Sequence, residues 1–429
     1  MIEFLNIYFL ILIFLTISLC LPRIIFKNQE YTSSNFIHYL GFNFIIFLNL
    51  ILILSFFNIN KILLLSVLLV ICLFYLALNI SKFKKLFQKD KIYSFLFLFL
   101  IFVVSIYIAN NFNLSWDAKG YYLKRTLSFL DGYFLPDNFI WKYQPFFPDY
   151  LKSFFWKNSF VDHEYAGRLV FGYIYLLSVF YFFSFSTINQ FLKIICALIF
   201  ILISFKGEYF DGRPTILLFS FFLFLAGEFF EIFSRKKITL KNYFFIILII
   251  NLILWTKTEG LAYAIIIYLT TLYFLRFDNK SKFILTAAIV ILISFKYIIY
   301  YLYNLPLNPH EQVLSFSIIE RINIESFLET ILLTLMWYFI SLLKNPLMII
   351  GFISVFYLYF YSKKDFLRFN FLYLFFILKL FVIIGAHIFI VNDLSWQLKY
   401  SLDRIIYHSS SFFVIIPLYL FQKFLIKIK

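Results

Sequence analysis

The sequence predicts an all-α polytopic membrane protein with about thirteen transmembrane helices and a large outer-face loop carrying amphipathic surface helices. Three observations predict it. The 429 residues are 63% hydrophobic and only 14% charged, where a soluble domain is roughly half apolar and a quarter charged. Apolar runs of about 20 residues, the length a helix needs to cross a bilayer, recur along the whole chain. The net charge of +16 gathers in short links between those runs, as it does in cytoplasmic loops. No solvated basic domain is left to hold a nucleic acid. Membrane lipid is the expected partner.

The runs fall at 2–21, 36–57, 61–80, 92–110, 166–186, 189–206, 213–233, 240–256, 259–275, 283–303, 346–361, 369–391 and 405–425. The first has the length of a signal peptide, but no basic region precedes it and no small-residue cleavage site follows, so it is read as a retained helix. Cys20, Cys72 and Cys196 all lie in apolar stretches, with no metal-ligand spacing and no disulfide framework.

Basic links set the orientation. Lys82 to Lys91 is the strongest, followed by Ser234 to Lys237, Arg276 to Lys282, Ser362 to Arg368 and the C-terminal Lys427 to Lys429. All are expected in the cytoplasm. A span at 326–343 would put the last two outside, so this segment, with its wet start at Asn323 to Ser326, is expected to be re-entrant or interfacial. The outer face then receives the loop 111–165, the links 207–213, 256–260 and 392–404, and the segment 304–325. Only 111–165 is long enough to fold. Its amphipathic stretches at 119–131 and 147–157 are expected to lie along the membrane surface.

Ionisable groups near a bilayer are costly, so they point to function. Five polar islands fall on the outer side. In Ser115-Trp116-Asp117-Ala118, Asp117 follows a span; it can serve as a general base toward a hydroxyl, or cap a helix. In Gln144 to Tyr150 the prolines set helix boundaries, and Asp149 reads as a first-turn acid suited to the helix dipole. In Gly207 to Pro214, Asp211 caps the next helix or orients a substrate, and Arg213 can grip a phosphate; an interfacial ion pair is the plain alternative. Lys257 and Glu259, in Thr256 to Gly260, suit a lipid phosphate or a tight turn with snorkelling side chains. Arg404 and His408 stand four apart at the mouth of the last span and share a helix face. No nucleotide loop, Cys/His metal spacing or serine nucleophile elbow is present.

These islands, in this order, resemble the GT-C superfamily of multi-span, polyprenyl-phosphate-sugar-dependent glycosyltransferases. Its members include protein mannosyltransferases and the bacterial enzymes that decorate lipid A and surface polysaccharides. The resemblance rests on Asp117, on Gln144 to Tyr150, on Asp211 to Pro214, on Lys257 to Gly260 and on Ser401 to Arg404. It covers about 90–425, which makes 1–90 a three-span preface and 91–429 the module. Two features depart from the family. Ala118 stands where protein mannosyltransferases have a second acid, and Phe146-Phe147-Pro148-Asp149 replaces Tyr-Pro-Pro-Leu.

The resemblance implies an inverting transfer from a polyprenyl-phosphate sugar to a glycan or lipid acceptor, on the outer face of a bacterial plasma (inner) membrane. Asp117 would take the acceptor's proton. Lys257, Arg404 and Arg213 would stabilise the leaving phosphate, with Asp211, Glu259 and His408 completing the substrate site. A divalent metal, if the reaction uses one, would sit between Asp117 and Asp211. Two rivals share the membrane architecture. A polysaccharide polymerase or ligase would place Arg and His in its large loop, which here holds mainly acids, Tyr and Lys. A lipid-linked sugar flippase or transporter would use ionisable groups within spans, and Lys296, Lys379 and His387 are the few candidates.

Overall fold

The computed structural model describes residues 2–25, 36–57, 59–111, 113–130, 144–235, 240–274, 279–306, 324–388 and 394–428. Among these residues every element of regular secondary structure is helical. Ten helices are long and apolar enough to cross a membrane, and four further apolar helices are shorter. This is a polytopic integral membrane protein.

The chain divides into two compact units, Met1–Trp141 with Phe146–Leu252, and Lys142–Pro145 with Ile253–Lys429. The first unit contains α1 (Ile2–Ile25), α2 (Phe36–Leu54), α3 (Lys61–Lys89) and α4 (Lys91–Asn110). A π-helical turn, Ala118–Leu123, then leads into α5 (Lys124–Leu130) and α6 (Phe147–Lys157). The remaining helices are α7 (Tyr165–Ser184), α8 (Gln190–Ser204), α9 (Thr215–Arg235) and α10 (Leu240–Leu254). Helix α7 is the axis of this unit, and all of its residues are buried. It packs on α9, α4, α2 and α6. Residues 1–90 lie within the same unit. Asn43 Nδ2 donates to the Ser18 carbonyl, and the Ser18 hydroxyl bonds the Tyr173 hydroxyl at 2.7 Å, tying α1, α2 and α7. Such polar contacts fix helix pairs where lipid gives no hydrophobic drive for them to associate. Leu63, Phe74 and Leu78 on α3 stay exposed, as a lipid-facing side should.

The second unit contains α11 (Gly260–Phe274), α12 (Asn279–Leu302), α13 (Ile324–Lys344), α14 (Pro346–Tyr361), α15 (Lys363–Arg368), α16 (Asn370–Ile388), α17 (Leu394–Ser410) and α18 (Ile415–Ile428). Helix α11 packs on α16, and α13 packs on α17 and α16. Asn345 caps α14 by accepting the Leu347 and Met348 amides, with Pro346 at the first helical position where its missing N–H is harmless.

Three expectations meet the structure here. The 326–343 segment, expected to be re-entrant or interfacial, lies in one continuous helix, and Phe327–Lys344 has the length and hydropathy of a candidate span. Four of the thirteen expected spans, at Gln190–Ser204, Lys241–Leu254, Gly260–Tyr273 and Pro346–Tyr361, form helices of 17 residues or fewer. The 147–157 stretch does become a helix, yet Phe147 to Trp156 are all buried, so it is enclosed by protein. Residues 131–143 of the long loop and most of 304–325 lie outside the described residues, as do Lys236, Lys237 and Lys429.

Candidate functional site

In the first unit the polar groups gather where the turn after α4 meets α5, α6 and the 207–213 link. Trp116 opens the helical turn, and Ser115 caps it: its Oγ accepts the Ala118 amide at 3.3 Å and its carbonyl accepts the Lys119 amide. Asp117 has helical backbone angles and makes no cap hydrogen bond. Its half-buried carboxylate is therefore not engaged as the cap. The π-helical geometry that follows is rare, and single turns of it concentrate at functional sites.

The next layer is an ion cluster among α5, α6 and that turn. Asp149 Oδ2 meets Arg125 Nε at 3.1 Å, and Asp149 Oδ1 meets Lys152 Nζ at 3.1 Å. All three side chains are almost fully buried. Lys152 also donates to the Tyr122 carbonyl at 3.3 Å, which holds the segment after Asp117. Burial pulls the Lys152 ammonium below its ordinary pKa, while Asp149 and, more weakly, Asp211 work to keep it charged. Asp149 was expected to be a first-turn acid; it is one, and it is also the anion that joins two helices.

The 207–213 link is built on Arg168, at the start of α7. Its guanidinium makes a paired contact with Glu164 at 2.6 Å, and donates to the carbonyls of Phe210 at 3.1 Å and Asn111 at 3.0 Å. It thereby pins the link to the end of α4. Gly212 takes φ +98°, a left-handed conformation that glycine adopts without steric cost. Asp211, 3% exposed, accepts the Arg213 amide and pairs with the Arg213 guanidinium at 2.9 Å. Arg213 also donates to the Glu208 carbonyl at 3.0 Å. Asp211 thus makes a local turn ahead of α9 and an ion pair. Thr126, Lys152, Glu164, Arg168 and Asp211 supply the polar lining of a small cleft that Ala118, next to Asp117, also lines.

In the second unit, Trp255 to Glu259 forms the turn before α11. The Gly260 amide bonds the Lys257 carbonyl at 2.9 Å, and a side chain at Gly260 would collide with the Ile253 carbonyl. Glu259 accepts from Lys257 Nζ at 2.9 Å and from the Thr258 hydroxyl at 3.0 Å. Burial by itself would raise the Glu259 pKa, but these two donors hold it below the ordinary value. On α17, Arg404 donates to the Tyr400 carbonyl at 3.2 Å, and His408 is fully buried with the Tyr263 ring edge-on at 6.2 Å. Neither ring nitrogen of His408 has a hydrogen-bond partner among the described residues. Lys379, on α16, donates to the Ile405 carbonyl at 2.9 Å and to the Ser409 hydroxyl.

The expected residues therefore form two sets. Asp211 pairs with Arg213 beside the cleft that Ala118 lines, and Lys257, Glu259, Arg404 and His408 gather in the other unit. From sequence, Arg125 and Arg168 stand out only as arginines of the large loop, and Lys152 and Glu164 do not stand out. The Glu164/Arg168 spacing of four and the Asp149/Lys152 spacing of three on amphipathic stretches were the signals that could have found them. The chain matches no protein-family model, no curated protein and no solved structure.

Proposed function

We propose that this membrane protein is an inverting glycosyltransferase of the GT-C type, moving a sugar from a polyprenyl-phosphate donor to a glycan or lipid acceptor on the outer face of a bacterial plasma membrane. One observation carries the reading: the fully buried His408, neither of whose ring nitrogens has a hydrogen-bond partner among the described residues, shares α17 with Arg404 and has the Lys379 amine held beside it at Ile405 and Ser409. Positive charge concentrated in a weakly polar setting is what a departing phosphate requires, because its growing charge is then stabilised by fixed partners. The acceptor hydroxyl attacks the anomeric carbon, its proton passes to a carboxylate base, and the bond from that carbon to the phosphate oxygen breaks. Asp117, relieved of the capping role by Ser115, is the candidate base in the first unit, and Lys257 and Arg404 are the candidate partners of the phosphate in the second. Arg213 is committed to Asp211 and Glu208, so its role is to shape the 207–213 link. Both oxygens of Asp211 face Arg213, and Lys152 adds a further positive charge nearby. That carboxylate does not fit a divalent ion shared with Asp117.

The test is transfer by the purified protein in lipid, with a panel of polyprenyl-phosphate sugars and cell-surface glycans. Asp117→Asn should lower the rate by about 10²–10⁴-fold with the fold intact. Lys257→Ala should lower it by about 10²–10³-fold. Equal transfer by wild type and Asp117→Asn would remove that residue from the chemistry. Burial of Lys379 and His408 within spans favours a second reading, a flippase for lipid-linked sugars. Movement of a labelled lipid-linked sugar across vesicles, with no covalent product, would select it.

A further inference from the structure

A second ionisable cluster lies in the first unit, about 20 Å along α9 from Thr215 at 1.5 Å per residue. It has no part in the reaction proposed above. His38 on α2 and Glu228 and Glu231 on α9 are all buried, and one ligand-capable atom of each lies within 4.8 Å of the others. We propose that these three residues bind one divalent transition-metal ion, of the zinc, manganese or ferrous class.

The donor set selects that class. One imidazole nitrogen and two carboxylates are borderline ligands, which suit such ions better than magnesium or calcium, whose sites are built from oxygen. Ligands about 2.0–2.2 Å from a metal stand closer together than 4.8 Å, so side-chain movements of about an ångström close the site. Partners that orient the ligands are in place. Asn242 Nδ2 donates to Glu228 at 2.7 Å and to Glu231 at 3.1 Å, holding the two carboxylates side by side. The Tyr181 hydroxyl donates to the other Glu228 oxygen.

The imidazole is packed in place as well. The Tyr181 ring stacks on His38 with centroids 4.9 Å apart, and Phe185 meets it edge-on at 4.5 Å. Gly41 and Gly227 make room for these rings: a side chain at Gly41 would run into Tyr181, and one at Gly227 would come within 3.0 Å of Phe185. An aromatic wall on one side and a carboxylate pair on the other leave His38 facing the acids.

Lys241 occupies part of the site: its ammonium donates to His38 Nε2 at 2.5 Å. A divalent ion held by the two buried carboxylates and that nitrogen would displace it. Lys241 would then retreat to the face of Phe42, over which its ammonium already lies at 4.9 Å. Lys241 is thus a competitor of the metal, and its removal should strengthen binding.

The experiment loads zinc onto the chelator-treated, tag-free protein in nanodiscs, desalts it and counts metal by mass spectrometry. Cobalt is added separately, and its visible d–d bands report ligation in the unmutated chain. One zinc per wild-type chain is expected, with cobalt bands displaced by zinc. The pair His38→Ala with Glu231→Gln should hold none, and Asn242→Ala should bind about 10–100-fold more weakly. Lys241→Met should bind at least as tightly as wild type. Asp117→Asn, in the other cluster, should keep its zinc whether or not it transfers sugar. A wild-type chain that elutes without metal, or one that holds no more than the His38→Ala, Glu231→Gln chain, overturns the proposal.

Discussion

Asp149→Asn tests the arrangement under the cleft most directly. Asparagine keeps the shape of the side chain and removes its charge. Arg125 and Lys152 are then left as two buried cations with no anion between them. Removing one member of a buried pair costs about 3–5 kcal/mol. At about 2–4 °C per kcal/mol, the apparent melting temperature should fall by about 6–20 °C. Tryptophan fluorescence of the detergent-solubilised protein, checked by gel filtration, measures it. The sign of the pH dependence follows from Lys152. Its folded pKa is already below its unfolded one, so the unfolded chain binds the proton more tightly and stability rises with pH between the two values. Without Asp149 the folded pKa drops further, and that window extends downward. Above both folded values the lysine is neutral in each protein, and its share of the deficit vanishes. The gap between variant and wild type should therefore narrow as pH rises toward the unfolded lysine pKa. A variant that melts with wild type at neutral pH, or a gap that widens with alkali, would refute the ion cluster as a support.

Two further outcomes follow from the packing. Gly260→Ala should cost about 1–3 kcal/mol by forcing a methyl group against the Ile253 carbonyl, whereas Gly120→Ala, with nothing near the new carbon, should not destabilise. Paired melting curves of the two variants check it. Lys364→Cys, in a background without other cysteines, should react with an impermeant thiol reagent from the cytoplasmic side, and reaction from outside would mean that α13 and α14 both cross the bilayer. The Tyr419 hydroxyl donates to Asp365 at 2.9 Å and Lys423 pairs with the same carboxylate, so the end of α18 should share whichever side is found.

Composition made the helices legible: among the described residues twelve of the thirteen apolar runs each fall on one helix, and the last is divided between α17 and α18 by the turn Ser411–Val414. Their lengths were less legible. Gln190–Ser204 would rise about 22 Å, against a hydrocarbon core of about 30 Å. Hydropathy alone extended that run, since Phe205 is apolar but extended, with φ −71° and ψ 114°. Trp255 did the same at the end of α10: it is fully buried in a turn, and a window reads it as helix. At 326–343 the acids Glu325 and Glu329 give a wet start to a segment whose 18-residue window still has a mean hydropathy of 1.5. The islands were legible as places and illegible as partnerships. Ser115 displaced Asp117 as the cap from two residues away, and Asp149 found Arg125 across 24 positions of chain. Pairings of that kind depend on how helices pack, and no local spacing encodes them.

The islands look alike in sequence and separate by charge arrangement in space. Asp149 with Arg125 and Lys152, Glu164 with Arg168, and Asp211 with Arg213 each place opposite charges in direct contact. Such pairs hold segments together and ask for nothing further. Two clusters are arranged differently. Arg404 shares a helix with the fully buried His408, and the Lys379 ammonium is held beside it at Ile405 and Ser409. At His38 two buried carboxylates stand side by side under Asn242. Ionisable groups buried among apolar helices are costly, so each cluster marks a candidate ligand site. Basic side chains suit an anion at His408 and carboxylates suit a cation at His38, and the sugar-transfer and zinc-loading experiments test the two assignments separately.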